Sequence, residues 1–195
     1  HMEEREMTER ICNLFEETVP ILNNIYRGFV GQKINLLKES RTKFRESLKE
    51  RLPGIEKVVE QKDKTEAEQK FLTALPHLQR VALALDSLLD KMEIKVESNV
   101  LFTDKALDEI KQLMVAVGAE FTDVKDFCFT RNPVLKKQIE SDLDKVTKMI
   151  DEFDHVHQNR LITGVCMPQA SYLYIDMTDS LKRMSRELAA FANTF

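Results

Sequence analysis

Apolar residues recur along this 195-residue chain at alternating spacings of three and four, the period that lines one face of an α-helix. The clearest stripe is Phe71, Leu75, Leu78, Ala82, Leu85, Leu89, Met92 and Val96. A second runs Leu107, Ile110, Met114, Val117, Phe121, Val124 and Cys128, and a third Ile139, Leu143, Val146, Ile150 and Phe153, with His157 next in register. A fourth is Ala170, Tyr174, Met177, Leu181, Met184, Leu188, Phe191 and Phe195. Two weaker stripes precede these. One is Met7, Ile11, Leu14, Thr18, Ile21 and Ile25; the other is Ile34, Leu37, Phe44 and Leu48, interrupted by Arg41, which either pairs with an acid or lies at a bundle edge. The pattern predicts six helices.

Helix breakers fall between the stripes. Gly28 and Gly31 separate the first two, and Pro53-Gly54 end the second before the charged stretch Lys62-Asp63-Lys64. Thr103-Asp104 is an N-cap for the fourth helix, and Asn132-Pro133 starts the fifth with proline in its first turn. Gly164 caps the fifth and Pro168 opens the sixth. Pro20 and Pro76 lie inside stripes, so each predicts a kink or a break. Long helices joined by short loops must pack antiparallel.

The halves also resemble each other. Leu78-Gln79-Arg80-Val81 matches Leu181-Lys182-Arg183-Met184 at an offset of 181 − 78 = 103, and the same shift places Ile11–Phe15 on Met114–Gly118. The expected fold is therefore all-α: two tandem antiparallel three-helix bundles, residues 3–99 and 100–195, related by a pseudo-twofold axis within one compact domain. His1 and Met2 read as the remnant of a purification tag.

Composition narrows the function classes. Five glycines and five prolines are too few for a turn-rich sheet protein, while 43% hydrophobic and 32% charged residues suit amphipathic helices. A net charge of −4 argues against a nucleic-acid partner. No stretch approaches the roughly 20 apolar residues of a membrane span, and no signal-peptide pattern is present. Cys12, Cys128 and Cys166 show no paired spacing, as expected for free thiols in a reducing cytoplasm.

Candidate chemistry is sparse. Glu152 and His155 have the Glu-x-x-His spacing of di-iron bundles, but such sites need two copies and two further carboxylates, and His77 has Ala74 three residues before it. His157, on an apolar stripe, reads as a buried hydrogen-bonding histidine; Cys128 and the methionines read as core. There is no glycine-rich phosphate loop and no set of residues that reads as a catalytic centre, so neither catalysis nor a cofactor is expected.

One segment is more specific. His157, Arg160-Leu161, Gly164, Cys166, Pro168, Ala170-Ser171, Leu173-Tyr174 and Asp176 are followed by Leu181-x-Arg183, and Val100–Ala106 precedes the fourth stripe. In these segments the chain resembles the PhoU-like family of phosphate-transport regulators, including the domains fused to the cytoplasmic end of sodium/phosphate cotransporters. The resemblance implies two pseudo-symmetric three-helix bundles and a regulatory role without catalysis. It implies docking to a membrane phosphate transporter or a sensor kinase in the cytoplasm, with tethering to the inner face of the plasma membrane; a homodimer stays open.

The chain departs from the family at its metal sites. Family members carry Leu-Glu-Arg-Ile-Gly-Asp on the third and sixth helices, where the acids help bind surface metal clusters. Here the Glu positions hold Gln79 and Lys182, and the Asp positions Leu83 and Arg186. Hard cations and iron need anionic oxygen donors, so metal binding does not carry over on these helices. Glu140 and Asp144, one turn apart, are either a residual metal site or an exposed acidic face; alternatively Lys182 and Arg186 form salt bridges to them in place of the metal. Competing readings are a di-iron-like metal-binding bundle and a generic helical adaptor.

Overall fold

A computed structural model describes residues 3–52, 55–162 and 167–195 of the chain. The described residues are helical without strands, in the order α1 (Glu4–Val30), α2 (Ile34–Arg51), α3 (Ile55–Glu60), α4 (Glu66–Glu97), α5 (Asp104–Thr130), α6 (Pro133–Ile162) and α7 (Pro168–Thr194). Seven helices replace the expected six. The added element, α3, is short and lies where the sequence pattern placed only a break and a charged linker; it tucks Val58 out of solvent. The expected boundary at Pro53-Gly54, the cap at Gly164, Cys166 and the tag remnant His1-Met2 lie outside the described residues.

Local chemistry sets the boundaries. α4 opens with a capping box: the Glu68 amide donates to the Thr65 hydroxyl at 3.1 Å, and the Thr65 amide to the Glu68 carboxylate at 3.0 Å. The Thr103 hydroxyl accepts from the Ala106 amide at 3.1 Å, which starts α5 as the sequence pattern predicts. Arg131, left-handed at φ 54°, closes α5, and the Asn132 side chain accepts from the Val134 amide at the start of α6. Pro133 and Pro168 are the first residues of α6 and α7. Pro20 and Pro76 do not break α1 or α4, both of which run through their proline. Gly28 is not a separator either. It lies in the last turns of α1, where a Cβ would meet Leu37 Cδ2 at 3.0 Å, so it sets how closely α1 and α2 approach.

α1 packs on α2 and α5, α5 on α6 and α7, and α6 on α7; α2 and, more lightly, α1 touch α4, while α4 makes its long contact with α7. The expected stripes are the buried faces. Ile11, Leu14 and Phe15 of α1, Leu85, Leu88 and Leu89 of α4, Phe121 of α5 and Phe191 of α7 are each at most 2% exposed. The Phe15 ring meets Phe121 and Phe191 at centroid distances of 6.2 and 5.2 Å, joining α1, α5 and α7 in one core. Each such side chain contributes about 1.5–3 kcal/mol through burial. Cys12 and Cys128 are free, buried thiols that hydrogen bond to each other between α1 and α5. No helix among the described residues is long and apolar enough to cross a membrane.

Candidate functional site

Residues spread over three helices converge on one buried polar cluster. On α6, His157 and Arg160 are three apart and share a helix face, as do Ser171 and Tyr174 on α7; Glu109 faces them from α5. Arg160 Nη2 donates to Glu109 Oε1 at 2.7 Å, and the Tyr174 hydroxyl donates to the same oxygen at 3.2 Å. His157 Nε2 lies 2.6 Å from Ser171 Oγ, and its Nδ1 faces Arg160 Nη2 at 3.4 Å. The imidazole stacks on the Tyr174 ring at 4.5 Å, and the guanidinium sits 5.7 Å from that ring's centroid. All five residues are buried.

The protonation pattern follows from these neighbours. Burial, and then the Arg160 charge, push the His157 pKa down and favour neutral imidazole. Arginine can only donate, so Nδ1 is the acceptor and Nε2 carries the proton, donated to Ser171 Oγ. Ser171 therefore accepts from the ring instead of yielding a proton to it, the reverse of an activated serine nucleophile. Burial and the Glu109 charge push the Tyr174 hydroxyl up, so it remains a donor at neutral pH. The cluster is built to hold α5, α6 and α7 in register.

A second buried group lies further along the same three helices. Glu120 of α5 is fully buried and accepts a hydrogen bond from the Ser185 hydroxyl of α7. Asp123, one turn on, lies beside Asp142 of α6, whose Oδ1 accepts from Gln138 Nε2 at 3.0 Å. Burial pushes Glu120 up to about 9, and burial with the Asp142 contact pushes Asp123 up to about 7. At neutral pH Glu120 holds its proton, and Asp123 holds one in part. No set of three or more His, Cys, Asp or Glu among the described residues is placed to hold a metal ion.

The residues expected from the family's metal positions are scattered. Gln79 and Leu83 are exposed on α4, Leu83 at 66%. Arg186, Glu140 and Asp144 are exposed and Lys182 is half-buried. The salt bridges expected from Lys182 and Arg186 to Glu140 and Asp144 do not form among these four described residues. The cause is the face of α6 that is buried: Ile139, Asp142 and Val146 point inward, which turns Glu140 and Asp144 to solvent. Lys182 instead lies near Asp154, whose pKa its charge lowers against the larger upward push of burial. Glu152 and His155 are exposed on α6.

Arg41 resolves the interruption in the second stripe. It bridges α2 to α4, with Nη2 at 2.6 Å from Asp90 and 3.0 Å from Glu93. The sequence reading missed Glu109, Glu120 and Asp142. For Glu109 and Glu120 the available signal was a second run at spacings of three and four, Ala106, Glu109, Leu113, Ala116, Glu120, Val124 and Phe127, all of it buried. In comparisons with protein-family models, curated proteins and solved structures, nothing matches this chain.

Proposed function

We propose that this chain is a non-catalytic docking module of the PhoU type, which regulates phosphate transport by binding the cytoplasmic side of a sodium-dependent phosphate carrier. In this reading it is a duplicated bundle, with α1–α2–α4 as one unit and α5–α6–α7 as the other about a pseudo-twofold axis, and α3 as an insertion in the first. The helix contacts support the duplication. α1–α2 corresponds to α5–α6, α2–α4 to α6–α7 and α1–α4 to α5–α7, while the contacts between units, α1–α5 and α4–α7, each join a helix to its counterpart.

The observation that carries the family reading is the convergence of its motif. His157, Arg160, Ser171 and Tyr174, which stand in the segment that resembles PhoU-like proteins, meet in one buried network with Glu109. A motif with that role marks a fold, and leaves recognition to the outer helix faces. The side chains at the family's metal positions, an amide, an alkyl group, an ammonium and a guanidinium, are unsuited to hard cations and suited to a protein partner.

The test is to delete the chain in its own cells and follow labelled phosphate uptake in phosphate-rich and phosphate-starved medium, with affinity capture of the tagged chain from solubilised membranes. The expected result is uptake that no longer follows phosphate supply, and co-purification of a phosphate carrier. Unchanged uptake in both media, with no carrier captured, refutes the proposal.

A further inference from the structure

Beyond its cluster of buried acids and its docking faces, the molecule has an apolar groove between the C-terminal half of α1 and the middle of α5. We propose that this groove binds a small uncharged amphiphile, a molecule with an apolar body and one neutral hydrogen-bonding head. Its volume of about 580 Å³ falls within the range of small-molecule sites. Leu88 of α4 with Leu181 and Met184 of α7 form a floor that is almost fully buried, and Val115, 62% exposed, marks the open rim.

The lining sets the ligand class. The side chains around the groove are apolar except for the Asn23 amide and the Tyr26 hydroxyl, both on α1, and none carries a formal charge. A carboxylate, phosphate or ammonium head would be stripped of water there without a counter-ion. A hydroxyl, ester or amide head finds a donor and an acceptor at one edge, because neither Asn23 nor Tyr26 is hydrogen bonded through its side chain to another described residue.

Gly118 supplies an independent observation. It sits in the interior of α5, where glycine is the least favourable residue after proline. A Cβ at Gly118 would meet nothing within 4 Å, so no close helix approach accounts for it, in contrast to Gly28. The internal offset of 103 sets Gly118 against Phe15, whose ring fills the core between Phe121 and Phe191. Where one unit plugs the junction of α1 and α5 with a phenyl ring, the other leaves an opening. That comparison rests on the duplication proposed above, whereas the groove and its lining do not.

The test uses the full chain and the neutral fluorophore N-phenyl-1-naphthylamine, displaced in turn by monolauroylglycerol, laurate and dodecylamine below their micelle concentrations. One saturable site is expected. Monolauroylglycerol should displace the probe at a concentration about tenfold below those of the two charged chains. Gly118→Leu, whose side chain enters the open space, should weaken probe binding by about tenfold with an unchanged or higher Tm, and Met114→Trp should weaken it from the opposite end of the wall. Absence of saturable binding overturns the proposal, as does equal displacement by the charged chains, or probe binding that neither variant changes. Concentration-dependent dimerisation that Gly118→Leu abolishes also overturns it, because the groove then holds a second copy of the chain.

Discussion

Glu120 lies fully buried in α5 with one hydrogen bond, from Ser185, while its Oε2 has no partner among the described residues. Burial raises its pKa from 4.5 to about 9. Between those values the unfolded chain has released the proton and the folded chain still holds it. Folding then takes up a proton, and stability falls as pH rises, by about 1.4 kcal/mol per unit. From pH 5 to pH 8 the loss is about 4 kcal/mol, a large part of the roughly 5–15 kcal/mol that holds a domain together. Glu120→Gln keeps the shape and the acceptor for Ser185 but cannot ionise, so it removes this loss.

Urea unfolding of both proteins at pH 5, 6, 7 and 8, followed by helical circular dichroism, measures the effect. The two should agree to within about 1 kcal/mol at pH 5 and separate to about 4–5 kcal/mol at pH 8, with Glu120→Gln the more stable. Asp123, raised to about 7, adds its own fall of stability with pH below neutrality, but it does so in both proteins and leaves the difference largely intact. A separation that does not change with pH, or a wild type that is the more stable at pH 8, refutes the reasoning.

Two further outcomes follow from the buried cluster and the α4 cap. Arg160→Met strips Glu109 of its guanidinium partner and should lower stability by about 3–5 kcal/mol, whereas Arg160→Met with Glu109→Leu should recover most of that loss. Urea curves of the single and double variants read the coupling, and equal losses in both contradict it. Thr65→Ala opens the capping box and should cost about 1 kcal/mol, with faster amide exchange confined to the first turn of α4; exchange that rises throughout the bundle is the contrary result.

The stripes were legible because one apolar face per helix is what a bundle buries, and residues from Ile11 to Phe191 occupy the core that their spacing assigns. The extra helix α3 was not, because a helix of six residues is too short to show a stripe. Glu109 and Glu120 were missed for a different reason. α5 packs on α1, α6 and α7 and so buries two stripes, and the second contains charged residues that pattern reading assigns to solvent. Which side of α6 faces inward decides the fate of Glu140, Asp142 and Asp144, and that choice depends on the register against α5 and α7. The opposite charges at 140/144 and 182/186 are visible in sequence, but their distance is a property of packing alone.

Two carboxylates, the half-buried Glu17 and the buried Glu120, stand in opposite states. They lie 120 − 17 = 103 residues apart, the offset at which Leu78–Val81 matches Leu181–Met184. In the first half Glu17 accepts from the Ser47 hydroxyl and the Arg51 guanidinium, both on α2, and the Arg51 contact holds its pKa below the usual value. In the second, Glu120 also accepts from a serine, but Asp142 and Asp123 stand nearby in place of a cation. Glu17 is thus ionised and Glu120 protonated at neutral pH. The stability that Glu17 supplies is present above pH 4.5 and lost as pH falls, whereas the burden of Glu120 grows as pH rises. The two effects act with opposite sign as the pH changes. α1 and α2 thus close in part through the half-exposed Glu17–Arg51 ion pair, and α5 and α7 in part over the protonated, buried Glu120.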